Sequence, residues 1–368
     1  MTKQPIVLAA GGTGGHIFPA YALAEHLIKE GYKVYLITDP RGADFKNCPK
    51  NLTVLTLPLC RSKQGIVGHV RLLFSIFLSF FFSLIYLLRI NPNVILGFGG
   101  FPSAPTMFAA IVLKPFKNHT LILHEQNAVL GRVNKIFMPF VHTLATSFPK
   151  TWHVLKKFQK KIVVTGNLVR PTFEEIGKKP YKEPLKTGPI HLLIIGGSQG
   201  AKIFSTLIPN TLSTLPPALQ KRLRVVQQSR PEMIQQTKEA YKNLGIPATV
   251  ESFFPNIHTL IAKAHLIICR SGASTLFEIS EAKRPAIYVP FPYAMDNHQF
   301  FNAKVVEGLK GGWLIPENDE AKKSLEILVK NLLEHPKKLA TAAQNVHDLV
   351  EKNTCECFSH LINSFSKH

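Results

Sequence analysis

The chain has 368 residues, 45% of them hydrophobic and 18% charged, so it has apolar mass for two cores and falls outside the disordered classes. A formal net charge of +21 favours a polyanionic partner: nucleic acid, an anionic membrane surface or phosphorylated substrates. Five cysteines (Cys48, Cys60, Cys269, Cys355, Cys357) form no CxxC pair, which argues against a zinc ribbon or disulfide framework and for a reducing cytosol; nothing at the N-terminus resembles a signal peptide.

In chain order, the first strand is Ile6–Ala10, followed by Gly11-Gly12-Thr13-Gly14-Gly15 and a helical pattern through about Lys29; Lys33–Thr38 is the next strand. The same strand–glycine turn–helix unit recurs at Asn93–Leu96 with Gly97-Phe98-Gly99-Gly100 and a helix from near Pro102. It recurs again at His191–Ile195 with Gly196-Gly197-Ser198-Gln199-Gly200, and at Leu266–Cys269 with Arg270-Ser271-Gly272 and a helix from Ala273 to about Lys283. Apolar strands alternating with helices predict an α/β fold with parallel sheets covered on both faces. The stretch Gly166–Pro189 is rich in glycine and proline and is assigned as the interdomain linker. Two Rossmann-like domains facing each other across a cleft follow, with ligands at the carboxyl ends of the strands.

One segment departs from this rhythm. Leu72–Leu88 carries no charge and as a helix would be about 25 Å long, short of the roughly 30 Å hydrocarbon core. Ser75, Ser79 and Ser83 form a stripe along it, Arg61, Lys63 and Arg71 precede it and Arg89 follows. Three environments are open to it: a buried core helix, a membrane span, or a helix half-sunk in an anionic bilayer surface, the last favoured by the flanking positive charge.

A glycine after a strand lets the backbone approach a phosphate, and the following helix aims N–H groups and partial positive charge at it. Four such turns point to a nucleotide or diphosphate ligand. The dinucleotide pattern G-x-G-x-x-G lacks its third glycine, although Asp39 ends the second strand where a ribose-binding acid would sit. Gly196–Gly200 matches the G-x-S-x-G elbow of hydrolases, but Asp296 and His298 lie too close in sequence to complete a triad. No D-x-D pair occurs and His124-Glu125-Gln126-Asn127-Ala128 lacks a second histidine, so no metal site is supported.

Gly11–His16, Gly97–Pro102, His124–Asn127, Gly166–Pro171, Gly196–Ala201, Arg270–Ala273 and Asp296–Gln299, occurring in that order, resemble the MurG family of glycosyltransferases, of the family 28 type. The resemblance implies a GT-B fold and transfer of N-acetylglucosamine from UDP-N-acetylglucosamine to lipid I, with inversion and a β-1,4 link, giving lipid II for peptidoglycan. It implies no cofactor and no obligatory metal, peripheral attachment to the cytoplasmic face of the cell membrane, no nucleic-acid partner, and a place beside the cell-wall machinery. Domains are expected at 1–168 for the acceptor and membrane and 169–345 for the UDP-sugar, with a C-terminal helix in 346–368 packing back on the first. A GT-B enzyme glycosylating diacylglycerol is the near alternative, and a nicotinamide-dependent oxidoreductase the remote one.

By position, the resemblance places Thr13, Gly14, Gly15 and Asn127 near the donor sugar and the reacting centre. It places Arg170, Ser198, Phe254, Glu278 and Gln299 on the donor, with Glu278 accepting from the ribose hydroxyls and Gln299 reading the transferred sugar; Ala273, Ser274, Thr275, Leu276 and Phe277 border that site. His16, at a helix N-terminus that disfavours imidazolium, is the candidate general base, and Glu125 is the rival.

Overall fold

The computed structural model describes residues 3–44, 48–60, 65–197, 200–351 and 353–365. It divides into two compact units, one of residues 1–170 with 351–368 and the other of residues 171–350. Unit 1 holds strands β1 (Ile6–Ala9), β2 (Val34–Thr38), β3 (Thr53–Thr56), β4 (Val94–Gly97), β5 (Thr120–Glu125), β6 (Thr143–Thr146) and β7 (Ile162–Val164). Unit 2 holds β8 (Ile190–Ile195), β9 (Leu223–Gln228), β10 (Ala248–Glu251), β11 (Leu266–Cys269), β12 (Ala286–Tyr288) and β13 (Gly312–Leu314).

The sheet orders are β3-β2-β1-β4-β5-β6-β7 and β10-β9-β8-β11-β12-β13, and every neighbouring pair is parallel. These are doubly wound sheets. Their central strands are buried along their whole length, as in β1, β4 and β11, because helices cover both faces. Strand order reverses between β1 and β4 in unit 1 and between β8 and β11 in unit 2, and a crevice opens at the carboxyl ends of strands where order reverses. All four glycine turns follow those four strands.

The glycine- and proline-rich stretch is less of a linker than its composition predicts. Pro171–Gly177 is a helix of unit 2, where a Cβ on Gly177 would lie 2.1 Å from the Glu281 carbonyl oxygen. Further on, Tyr181 donates to the His265 carbonyl at 2.8 Å. At the other end, Val346 and Leu349 stay buried in unit 2, with Gly311 against Val346. The chain then returns to unit 1 at Glu351, where Gly166 has φ +78° and a Cβ would meet Glu351 Cβ at 2.5 Å. The final helix, Thr354–Ser364, buries Phe358 and Ile362 in the β1-side core, and its Ser359 hydroxyl pairs with His26 Nε2 at 3.1 Å.

The apolar segment forms a helix from Ile66 to Ile90, longer than the charge-free run, because Arg71 and Arg89 lie on its exposed side and interrupt nothing. Its orientation inverts the usual pattern. Ser75, Ser79, Ser83 and Leu87 are buried, while Leu73, Phe74, Phe77, Phe81 and Leu88 are exposed. The serine stripe packs on the helix Ala104–Leu113: Ser83 bonds Thr106 Oγ1 at 3.2 Å, and Ser75 accepts from the Cys60 N–H at 3.1 Å. Small side chains let the two backbones approach closely, and the phenylalanines are left facing out.

Candidate active site

In unit 1 the turns after β1 and β4 interlock. A Cβ on Gly11 would lie 2.6 Å from Asp39 Oδ1 and 2.8 Å from Pro102 Cβ, so only glycine lets the second turn sit there. Gly12 and Gly100 have φ of +81° and +74°, conformations that L side chains avoid. A Cβ on Gly100 would meet His16 Nε2 at 3.0 Å, so the bare glycine leaves room beside that nitrogen. The first helix, Gly14–Lys29, starts with Thr13 as its N-cap, which puts His16 in the first turn with Gly14 and Gly15.

Asp39 does not carry a free carboxylate for a ribose. Its Oδ1 accepts from the Gly12 and Gly42 N–H groups at 2.9 and 3.1 Å, and Arg41, paired with it, donates to the Gly12 carbonyl. The acid that a dinucleotide site would need is spent on holding the glycine turn, which removes the main support for the oxidoreductase alternative.

β5 delivers the other candidates. His16 Nδ1 lies 3.1 Å from Gln126 Oε1, and Gln126 Nε2 donates to the Phe98 carbonyl at 2.9 Å. His124 is fully buried between Phe98 and Phe358, and that burial lowers its pKa to about 3 although a bond to the Gly166 backbone pulls the other way. It is a neutral ring at physiological pH. Glu125 is buried too. Burial raises its pKa, while four donors oppose this: the Asn127 N–H and Nδ2 on Oε1, at 3.0 and 3.3 Å, and the Gly131 N–H and Asn134 Nδ2 on Oε2, both at 2.8 Å. Glu125 thereby fixes the loop that presents half-buried Asn127. Arg170 lies with its guanidinium 5.6 Å from the ring centroid of Phe18, beside the first turn of the first helix.

In unit 2, just after β8, Gly196 admits no side chain, since a Cβ on it would lie 2.1 Å from the Ala201 N. Ser198 lies outside the described residues. Gln228, at the end of β9, accepts from the Gly196 N–H at 3.1 Å and donates to the Ser252 carbonyl at 3.2 Å, tying the turn to the end of β10. After β11, Arg270 is consumed structurally by the Val289 and Pro290 carbonyls and by Glu317 at 2.5 Å. Gly272, by contrast, borders open space and caps the helix Ala273–Glu281. Ser274 and Thr275 are half-buried in its first turn; Ala273, Leu276 and Phe277 are buried, and Glu278, 7% exposed, lies one turn after Ser274 on the same face. Gln299 is brought to this turn through its carbonyl, which accepts from Ser271 at 2.8 Å, while its own Oε1 accepts from the Phe291 N–H at 2.9 Å. Asp296 and Asn297, just before it, both hold left-handed φ, at 52° and 55°, a strain that concentrates at functional turns. Phe254 is half-buried after β10, separated from this cluster by β9 and β8.

The sequence-level expectations miss three residues here. Gln126 and Gln228 brace the two switch points, and Arg230 lines the second: a Cβ on Gly200 would meet Arg230 Cγ at 3.2 Å, and the buried Arg230 Nε has no partner among the described residues. None of them belongs to a glycine pattern, and a polar residue just past an apolar strand carries no periodic signal. No cluster of three or more His, Cys, Asp or Glu that could hold a metal ion occurs among the described residues.

Models of the glycosyltransferase family 28 N-terminal and C-terminal domains match residues 6–146 and 191–355. The chain is 40% identical over 367 residues to the UDP-N-acetylglucosamine–N-acetylmuramyl-(pentapeptide) pyrophosphoryl-undecaprenol N-acetylglucosamine transferase of Paramagnetospirillum magneticum, spanning 98% of this chain and 97% of that one. It belongs to the MurG family of glycosyltransferase family 28. A relative of the same name from Granulibacter bethesdensis is 41% identical over 354 residues, covering 93% of this chain and 89% of its own. Among solved structures, MurG of Acinetobacter baumannii superimposes with a TM-score of 0.77 at 25% identity over the whole of both chains. A UDP-glucosyltransferase from Polygonum tinctorium, at 11% identity and a TM-score of 0.72 over 99% of this chain and 98% of its own, shares the fold alone. The MurG-family chain described here is thus a two-unit GT-B protein whose glycine turns all lie at switch points.

Proposed function

We propose that this protein transfers N-acetylglucosamine from UDP-N-acetylglucosamine to the MurNAc 4-hydroxyl of undecaprenyl-pyrophosphoryl-MurNAc-pentapeptide, with inversion at the sugar carbon. The observation that carries this is the second switch point. There Gly196, which admits no side chain, a helix N-terminus at Gly272 with open space beside it and a carboxylate nearly two turns further on at Glu278 fit the succession of diphosphate and ribose in a nucleotide sugar. Main-chain N–H groups and the helix dipole take the charge that builds on departing UDP, the role a divalent cation fills in metal-dependent enzymes. Arg230 adds its buried Nε–H to a phosphate oxygen, and Gln299 reads the transferred sugar.

His16 accepts the proton of the acceptor hydroxyl as that oxygen bonds to the sugar carbon and the bond to UDP breaks. Glu125, with both oxygens engaged by its own loop, positions Asn127. The exposed phenylalanines of Ile66–Ile90, together with Arg71, Arg89, Lys114 and Lys135, dock the protein on the anionic cytoplasmic surface of the membrane, where a polyprenyl acceptor is held. The helix is long and apolar enough to cross a bilayer, but its serine face packs on protein, so it lies along the surface.

The deciding experiment is transfer of radiolabelled N-acetylglucosamine from UDP-N-acetylglucosamine to a short-chain lipid I analogue in the presence of chelator. Labelled lipid II is expected. Transfer to diacylglycerol instead would favour the other glycolipid enzyme, and metal-dependent transfer would remove the amide-based account of the leaving group.

A further inference from the structure

Resting on the assignment of His16 as the base, we infer that Gln126 is a positioning residue that fixes the tautomer of His16, through a hydrogen-bond chain whose direction is set from its buried end. The chain runs His16, Gln126, His124, Ser147, Asn167, with successive separations of 3.1, 3.3, 3.1 and 3.2 Å. The Phe98 carbonyl accepts only, so the group on Gln126 facing it at 2.9 Å is the NH₂, and the amide oxygen is left facing His16. An amide oxygen accepts, so His16 Nδ1 carries the hydrogen and Nε2 carries the lone pair. Nε2 is the nitrogen beside Gly100, where a side chain would crowd it.

The inner half of the chain agrees. Gln126 Nε2 has its second hydrogen toward His124 Nδ1, so that nitrogen accepts and the His124 hydrogen sits on Nε2, pointing at Ser147. The Ser147 hydroxyl then donates to Asn167 Oδ1. The links from Phe98 through Gln126 to His124 are fixed in direction, because reversing either would set two donors or two acceptors face to face, and His124 also bonds the Gly166 backbone. Fully buried, His124 stays neutral, so its Nδ1 keeps accepting from Gln126. Among the described residues, the charged groups near this turn include Asp39 and Arg41, paired with each other beside Gly12, and Arg170 beside Phe18, while Gln126 stands at Nδ1.

The proposal is tested on the full-length protein by ¹⁵N-histidine NMR and by steady-state kinetics. The wild-type His16 resonances should report the Nδ1–H tautomer alone. In Gln126→Leu, His16 should mix both tautomers, kcat should fall about 10- to 100-fold, and the donor KM should stay within about twofold. Wild-type His16 in the Nε2–H form would overturn the inference whatever the variant does, including if it fails to fold. A Gln126→Leu protein with unchanged tautomer and kcat would overturn it as well. If His16→Ala keeps most of its kcat while the NMR result stands, the base assignment fails and the tautomer lock does not.

Discussion

In unit 1 the paired turns are held from beneath by ionisable side chains: Asp39 grips two backbone N–H groups, Glu125 grips a whole loop, and the His16–Asn167 chain runs back into the core. In unit 2 the corresponding turns are held by neutral or consumed groups, Gln228 at Gly196 and Arg270 on carbonyls, and the space beside Gly272 is left open. The two sheets share a strand order, so topology does not explain the difference. A half that moves a proton needs a group of controlled protonation and a support that fixes it. In the proposed reaction, a half that binds a diphosphate needs exposed N–H groups.

The sharpest way to break this contrast is His16→Ala, which should lower kcat by about 10²–10⁴ with donor KM little changed; a loss below tenfold would return His16 to a packing role. Next, Glu278→Ala should raise the donor KM about 10- to 100-fold, the worth of a hydrogen bond to a charged group, and leave acceptor dependence alone. Equal effects on both substrates would remove its ribose role. Arg230→Ala should weaken UDP binding in calorimetry by about tenfold and leave uridine binding unchanged; parallel losses for both ligands would place Arg230 away from the phosphates.

Acid should weaken both halves, unit 1 more. Burial holds His124 at about 3 and His265 at about 4, against 6.5 for an ordinary histidine. Below about 6.5 the unfolded chain binds protons that the folded rings refuse, so the contribution is complete above that pH and is lost as the pH falls toward 3 to 4. For fully buried His124 the slope approaches about 1.4 kcal/mol per pH unit; half-buried His265 contributes less because solvent screens it. A melting temperature that stays flat between pH 7.5 and 5 would mean the rings reach water. The smallest change to the fold is expected from Phe74, Phe77 and Phe81→Ser, which should release the protein from anionic vesicles while leaving its melting temperature in place. Retained vesicle binding would point the docking surface elsewhere.

Much of this was legible in the residues. A glycine turn after an apolar strand is a local signal, and four of them placed both sheets and both switch points. The Ser75–Ser79–Ser83 stripe was equally visible, but whether serines or phenylalanines faced inward depended on another helix, whose Thr106 bonds Ser83. The glycine and proline content of the linker was legible, whereas the packing of Gly177 and Tyr181 that absorbs it into unit 2 was not.

Backbone demands at single positions, such as a positive φ or the need for an empty Cβ, are written in residue identity, and they determined the fold class and the family. Which polar groups spend themselves on structure and which stay available depends on partners distant in the chain: Asp39 on Gly12, Gln126 on Phe98, Arg270 on Glu317. Only the tertiary structure decides those, because a hydrogen bond is made by proximity in space and leaves no period in the sequence.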